Sequence, residues 1–256
     1  MTNENSQPMD WDAYAAVYDV MSRNNPYYLQ NLELLKSALL DWSLGSNPSV
    51  CDIGAGTGEY ILNAASVIPS ARFVHVDGNA GMSAVAEKKY VEAGLDVEII
   101  TDYVQRLEFD DESFDLLICV NALYAMTPQE VVLKKFFRWL KPDGKLFVID
   151  FGRKQDWKDW FIPIYTHMVR ERGLLSATRE VFNFADVIRQ NAMTTKGQSD
   201  GGYPLHTNEE FNAMLESAGF QVEHSQECYR DYCDLALCSR PLPKENEQSV
   251  KRALAG

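Results

Sequence analysis

Apolar positions recur along this chain with two different spacings, and the spacings alternate. Residues 49–53, 73–76, 97–100, 114–120 and 145–151 are short, nearly continuous apolar runs rich in β-forming side chains, the pattern of strands buried on both faces. Between them, residues 59–67, 81–93 and 128–140 repeat apolar side chains every three or four positions, as amphipathic helices do. This repetition predicts a doubly wound α/β fold with a mostly parallel sheet and right-handed crossovers. The third of these helices is expected to open on a capping box, Thr127-Pro128-Gln129-Glu130.

Two helices are expected ahead of this core. Residues 10–21 carry Trp11, Tyr14, Ala15, Tyr18 and Met21 on one face, and Asn25-Pro26 caps a second helix running to Leu40 and Trp42. The alternation breaks after Phe151. Residues 153–190 read as helix, with Trp157, Trp160, Phe161, Tyr165, Phe182 and Phe184, and 194–203 as a polar, glycine-bearing connector. A second capping box, Thr207-Asn208-Glu209-Glu210, starts a helix closed by Gly219. Residues 220–229 and 232–240 follow as two strands joined tightly enough to be antiparallel. The expectation is a single domain, with N-terminal cap helices over 1–45 and a core over 46–152 and 204–240. A helical lid over 153–203 and a frayed tail over 241–256 complete it.

Composition narrows the partners. Apolar residues make up 46% of the 256 and charged residues 24%, as in an ordinary globular chain. Against 24 Lys and Arg stand 37 Asp and Glu, a net charge of −13 that repels phosphate backbones and anionic lipid. Neither nucleic acid nor membrane is therefore an expected partner. The polar, acidic opening lacks the basic and apolar regions of a signal peptide. The longest uncharged apolar run, 116–126, falls short of the roughly 20 residues that cross a bilayer. Cys51, Cys119, Cys228, Cys233 and Cys238 have neither CxxC pairing nor zinc-ligand spacing. Together these predict a reduced, cytoplasmic protein.

The chemistry is concentrated at the ends of the apolar runs. Val50-Cys51-Asp52-Ile53-Gly54-Ala55-Gly56-Thr57-Gly58 is a strand that ends near a carboxylate and turns through three glycines into a helix. Such a turn bends sharply and presents bare amides to a ligand. A dinucleotide fingerprint would place another glycine where Glu59 stands, and no P-loop Gly-Lys-Ser/Thr follows, so NAD and nucleotide phosphates are disfavoured. The second strand ends in Asp77, which is placed to accept both hydroxyls of a ribose or simply to cap the next helix. The third leads into Thr101-Asp102-Tyr103 and the fourth into Asn121-Ala122.

Taken together, these residues resemble the class I S-adenosylmethionine (SAM)-dependent methyltransferases over residues 14–151 and again in the last two strands. The nearest branch is that of the ubiquinone/menaquinone-biosynthesis methyltransferases and their small-molecule relatives. The resemblance implies a Rossmann-like sheet of seven strands with the last antiparallel, SAM as cofactor and S-adenosylhomocysteine as product. It implies that Gly54, Gly56 and Gly58 lie under the methionine part and that Asp77 binds the ribose, with Asp52, Ala55, Thr57, Gly78 and Met82 in the same cofactor set. Asp102 is implied to meet the adenine amino group, Tyr103 to lie beside the ring, and Asn121 and Ala122 to flank the sulfonium. Trp11, Tyr14 and Tyr18-Asp19 resemble the N-terminal helix that closes over the cofactor in this branch.

The place after strand four reads Asn121-Ala122-Leu123-Tyr124 and lacks the Pro-Pro-aromatic motif of amino-methyltransferases acting on DNA bases or protein glutamine. It also lacks the oxygen cluster that Mg²⁺ requires, so no metal is expected. The acceptor is expected to be a small aromatic or apolar metabolite, methylated at oxygen or nitrogen, in specialised metabolism. His206 is the preferred proton acceptor, with Tyr124 as competitor and Tyr18 beside the sulfur. Trp157, Trp160, Phe161 and Tyr165 are candidates to contact the acceptor, or else Trp157, Phe161 and Tyr165 form the core face of a packed helix. Two further readings stay open: a SAM-fold protein catalysing a non-methylating rearrangement, and a non-catalytic SAM-binding regulatory subunit. The protein is expected to be a monomer or homodimer.

Overall fold

The computed structural model describes residues 18, 19, 22, 24–154, 156, 158–181 and 203–242. Helix α1 (Pro26–Asp41) precedes β1 (Ser49–Ile53), α2 (Glu59–Val67), β2 (Arg72–Asp77), α3 (Ala80–Glu92), β3 (Val97–Thr101) and β4 (Phe114–Val120). After a 3-10 turn (Leu123–Ala125) come α4 (Gln129–Trp139), β5 (Leu140–Phe151), α5 (Lys158–Arg172), α6 (Leu174–Val181), α7 (Asn208–Ser217), β6 (Gln221–Cys228) and β7 (Cys233–Ser239). The strands form one sheet in the order β3-β2-β1-β4-β5-β7-β6. The first five are parallel, whereas β7 runs antiparallel to both β5 and β6. Strand order reverses between β1 and β4, which opens a crevice at their carboxyl ends.

Strict alternation divides the core. Val50, Phe73, Leu116, Ile118, Phe147 and Ile149 face a layer shared with α1, α2, α3 and α5. Cys51, Ile53, Val74, Leu117, Cys119, Leu146 and Val148 face α4 and α7. The two faces thus sort successive residues of each strand to opposite layers. By the same alternation Asp52 faces the α1–α3 layer, while Asp150 and Asp234 face the α4–α7 layer.

Local signals explain most boundaries. The Asn25 side chain accepts the amides of Tyr27 and Tyr28, with Pro26 at the first helical position. Both halves of the Thr207–Glu210 capping box form. The expected box at Thr127 does not. The amides of Val131 and Val132 both donate to the Pro128 carbonyl, so the helix starts one residue later, and no side chain caps it. β5 also begins earlier than its apolar run, because Leu140 already pairs with Phe114 before the register shifts. The long helix expected over 153–190 is broken at Gly173, whose φ of +80° ends α5. Its remainder beyond Val181, with Phe182 and Phe184, lies outside the described residues, as do Trp11, Tyr14, Met21 and Trp157. Among the described residues no helix is long and apolar enough to cross a membrane.

Phe147 is fully buried in the first layer beside Tyr60. Phe147→Ala should cost about 3–5 kcal/mol of unfolding free energy, read from denaturant midpoints at unchanged slope.

Candidate active site

The glycine turn is fixed by two amides and one missing side chain. Gly54 N and Ala55 N both donate to the Val76 carbonyl, at 2.8 and 3.0 Å, tying the end of β1 to that of β2. A Cβ at Gly54 would lie 2.3 Å from Ala122 Cβ, so the turn and the end of β4 approach as closely as glycine permits. Asp77 then organises the next step. One carboxylate oxygen accepts Gly56 N and the other Asn79 N, both at 2.8 Å. Asn79 Oδ1 in turn accepts the amide of buried Met82, capping α3. Asp77 is thus fixed at the crevice by backbone amides, and the helix cap itself is Asn79. Burial raises its pKa even though the Asn79 and Gly56 amides pull it down.

Asp52 is buried, and among the described residues its Oδ2 has no hydrogen-bond partner. Burial, reinforced by the neighbouring Asp77, pushes its carboxyl well above the usual range. An orphaned acid beside a turn of bare amides fits a ligand carrying both a donor and a carboxylate, as the methionine part of SAM does. A Cβ at Gly56 would meet no atom of the described residues within 4 Å.

The adenine side differs in detail from what the sequence implies. Asp102 is engaged by Arg106, by Nε at 2.6 Å and by Nη2, and accepts Tyr103 N at 2.7 Å. Its pKa is lowered chiefly by Arg106. The Tyr103 ring is 58% exposed and lies across Gly78, where a Cβ would meet it at 2.9 Å. Asn121 adopts φ +50°, donates its amide to the Ile149 carbonyl at 2.7 Å and accepts Cys233 Sγ at 3.4 Å.

Aromatic rings line the first layer. Tyr124 stands edge-on to Phe151 and to Tyr203, each at 4.9 Å. Burial raises the pKa of Tyr124 and of Tyr18, and Tyr18 also feels Asp19, Asp77, Glu59 and Asp52. Both are neutral phenols at physiological pH, donors of a hydrogen bond instead of proton acceptors. On α5 the buried face is Trp160, Ile164 and Met168; exposed Phe161 stacks at 6.0 Å on Tyr165, which is partly buried against the same layer. Trp160 packs between Tyr27, Tyr229 and Tyr232. The core face of α5 thus runs beside the Phe161–Tyr165 pair and takes in only Tyr165 of it.

His206 lies in the other layer. Its ring stacks on Phe211 at 4.4 Å, with Nδ1 3.5 Å from Asp234 and Nε2 4.0 Å from Asp150, both fully buried. The structure therefore does not bring His206 together with Tyr18. Burial pushes Asp150 up to about 7. Burial also acts to raise Asp234, but His206, Arg153 and Asn208 outweigh it and hold that carboxyl low. Arg153 donates to both Asp234 oxygens, at 2.9 and 2.7 Å. Sequence reasoning missed Asp150, Asp234 and Arg153. Asp150 is the last residue but one of β5, near the strand end as Asp77 is, so its position carried a usable signal; Arg153 and Asp234 meet only through the pairing of β5 with β7.

Residues 50–144 match a family model described as a methyltransferase domain. A ubiquinone/menaquinone biosynthesis C-methyltransferase of Hahella chejuensis is 30% identical over 219 residues, covering 82% of this chain and 81% of that protein. The chain belongs to the class I SAM-dependent methyltransferases. Within them it falls beside the ubiquinone/menaquinone branch, and SAM is its cofactor. A SAM-dependent methyltransferase structure from Aquifex aeolicus superposes on this methyltransferase with a TM-score of 0.58 at 18% identity, covering 88% of this chain and 98% of that one. The 4+2 cyclase SpnF does so at 0.63 and 13% identity, covering 91% and 94%. At such identities the likeness is one of fold.

Asp77→Ala should weaken SAM binding by about 1–3 kcal/mol, because the Gly56 and Asn79 amides lose the acceptor that shapes the glycine turn; isothermal titration reads it. Between 3.8 and about 7, Asp150 is protonated in the folded chain and ionised in the unfolded one. Folding takes up a proton there, so the contribution of Asp150 to stability falls as pH rises across that window. Asp150→Asn should flatten the decline, measured as midpoint stability from pH 4 to 8.

Proposed function

We propose that this methyltransferase alkylates a ring carbon of a small, flat, hydroxylated aromatic or quinol-like acceptor. The observation that carries the reading is the layer of Tyr124, Phe151 and Tyr203 at the carboxyl ends of β4 and β5, next to Asn121 and Ala122. Edge-to-face rings of this kind favour a planar apolar ligand. Carbon as the nucleophile follows the naming of the curated relatives as C-methyltransferases; oxygen or nitrogen, the expectation from the sequence, is the competing outcome.

When bound, SAM supplies a methyl carbon on a cationic sulfur that an in-line nucleophile displaces. The chain's own part is alignment and exclusion of water, which is worth on the order of 7–11 kcal/mol in well-oriented reactions. In this reading Asp52 and the amides of Gly54 to Gly58 hold the methionine part, Asp77 the ribose, and Asn121 and Ala122 border the sulfur. Tyr103 lies beside the adenine, while Asp102 reaches its amino group only by sharing itself with Arg106. Tyr18 and Tyr124 offer π faces to the positive sulfur and phenolic hydrogens to an acceptor oxygen. His206, held between two carboxylates, is assigned no proton transfer from the acceptor. The acceptor instead carries a hydroxyl that ionises readily and shares its charge with the ring carbon. Tyr203, which stands edge-on to Tyr124, covers this layer.

Incubation with SAM labelled at its methyl carbon and a panel of phenols and quinols should give a product heavier by one methyl, with the label on ring carbon by NMR. A label on oxygen or nitrogen would refute the carbon assignment, and a product of unchanged mass would refute methyl transfer.

A further inference from the structure

The rings of Tyr124, Phe151 and Tyr203 are held from behind, by polar side chains in the opposite layer. Gln129, in the first turn of α4, donates through Nε2 to the Leu123 carbonyl at 3.3 Å and to Asp150 Oδ2 at 3.4 Å. It thereby ties the turn that carries Tyr124 to the end of β5. Asp150 directly precedes Phe151, whose ring stands edge-on to Tyr124. The backbone amides of Tyr124 and Phe151 both pull its carboxyl down against the effect of burial. Among the described residues its other oxygen, Oδ1, is buried without a hydrogen-bond partner.

The same carboxylate reaches the segment that brings in Tyr203. Asp150 Oδ2 stands 4.0 Å from Nε2 of His206, which follows Tyr203 closely in the chain, and His206 Nδ1 stands 3.5 Å from Asp234. Gly152 marks how tight this junction is. A Cβ there would lie 2.2 Å from Asp234 Oδ2 and 3.0 Å from the His206 carbonyl oxygen, so only glycine lets the backbone after Phe151 pass. Arg153 then clamps Asp234 with two bonds. A buried charged cluster stabilises a core less well than apolar packing does, but it fixes geometry sharply.

We propose that Asp150 and Gln129 are positioning residues that set the spacing of the Tyr124, Phe151 and Tyr203 rings, and with it the affinity for a flat acceptor, while SAM affinity is left to the glycine turn. The link runs through the Leu123–Tyr124 turn on one side and through His206 on the other. Neither side chain touches the acceptor. The proposal rests on the acceptor lying on those rings.

Calorimetric titration of 2-naphthol, a flat hydroxylated aromatic, into the full chain loaded with S-adenosylhomocysteine tests it. Asp150→Asn should weaken 2-naphthol binding about tenfold and Gln129→Met by a smaller factor, with S-adenosylhomocysteine affinity kept within about twofold of the wild type. The two losses should fall short of adding in the double variant, because both loosen the same link. Gln129 is half-buried at the start of α4, so Gln129→Met carries the test if Asp150→Asn does not fold. Wild-type 2-naphthol affinity in these variants, or equal losses for 2-naphthol and S-adenosylhomocysteine, would overturn the positioning role. Absence of 2-naphthol binding to the wild type, or full binding to Tyr124→Ala, would instead overturn the acceptor layer itself.

Discussion

The approach of Gly54 to Ala122 is the contact on which the site depends. β1 and β4 are neighbours in the sheet, yet their continuations must diverge to open a crevice, and they do so with the two backbones almost touching. Any side chain at position 54 would sit 2.3 Å from the Ala122 methyl and force the turns apart. The paired amides of Gly54 and Ala55 on the Val76 carbonyl lock the third participant, β2. From this junction the chain sends out Asp52, Asp77 and Asn121 in a spacing that the sheet register sets without help from loops.

Electrostatics follows from that geometry. The ends of the strands collect carboxylates in places where water is excluded, so the carboxyls of Asp52, Asp77 and Asp150 are all raised by burial. A cationic sulfonium relieves such a site, as it supplies the charge that burial withholds. Neutral phenols at Tyr18 and Tyr124 add polarisable faces without adding charge. The second cluster, Asp150, His206, Asp234 and Arg153, lies in the opposite layer and joins β5, β7 and the start of α7. Its position favours organising the return of residues 203–208 to the core over touching an acceptor.

The strand order and most helix limits were legible in the sequence because parallel strands buried on both faces leave continuous apolar runs. The Asp52–Gly58 turn was legible for a related reason: glycine is required where backbones nearly touch. The start of α4 was misread, since Thr127-Pro128-Gln129-Glu130 has the composition of a capping box but the helix begins from the Pro128 carbonyl. Of the alternative core face at Trp157, Phe161 and Tyr165, only Tyr165 packs on the core among the described residues, and Trp160, Ile164 and Met168 fill the face beside it. His206 drew attention as a lone histidine; its two carboxylate neighbours come from strands far away in sequence, which no local pattern reveals.

The most direct test is calorimetric titration of the whole chain with SAM and S-adenosylhomocysteine. One-to-one complexes in the micromolar range are expected. Binding of neither ligand would contradict the assignment of the glycine turn to the cofactor.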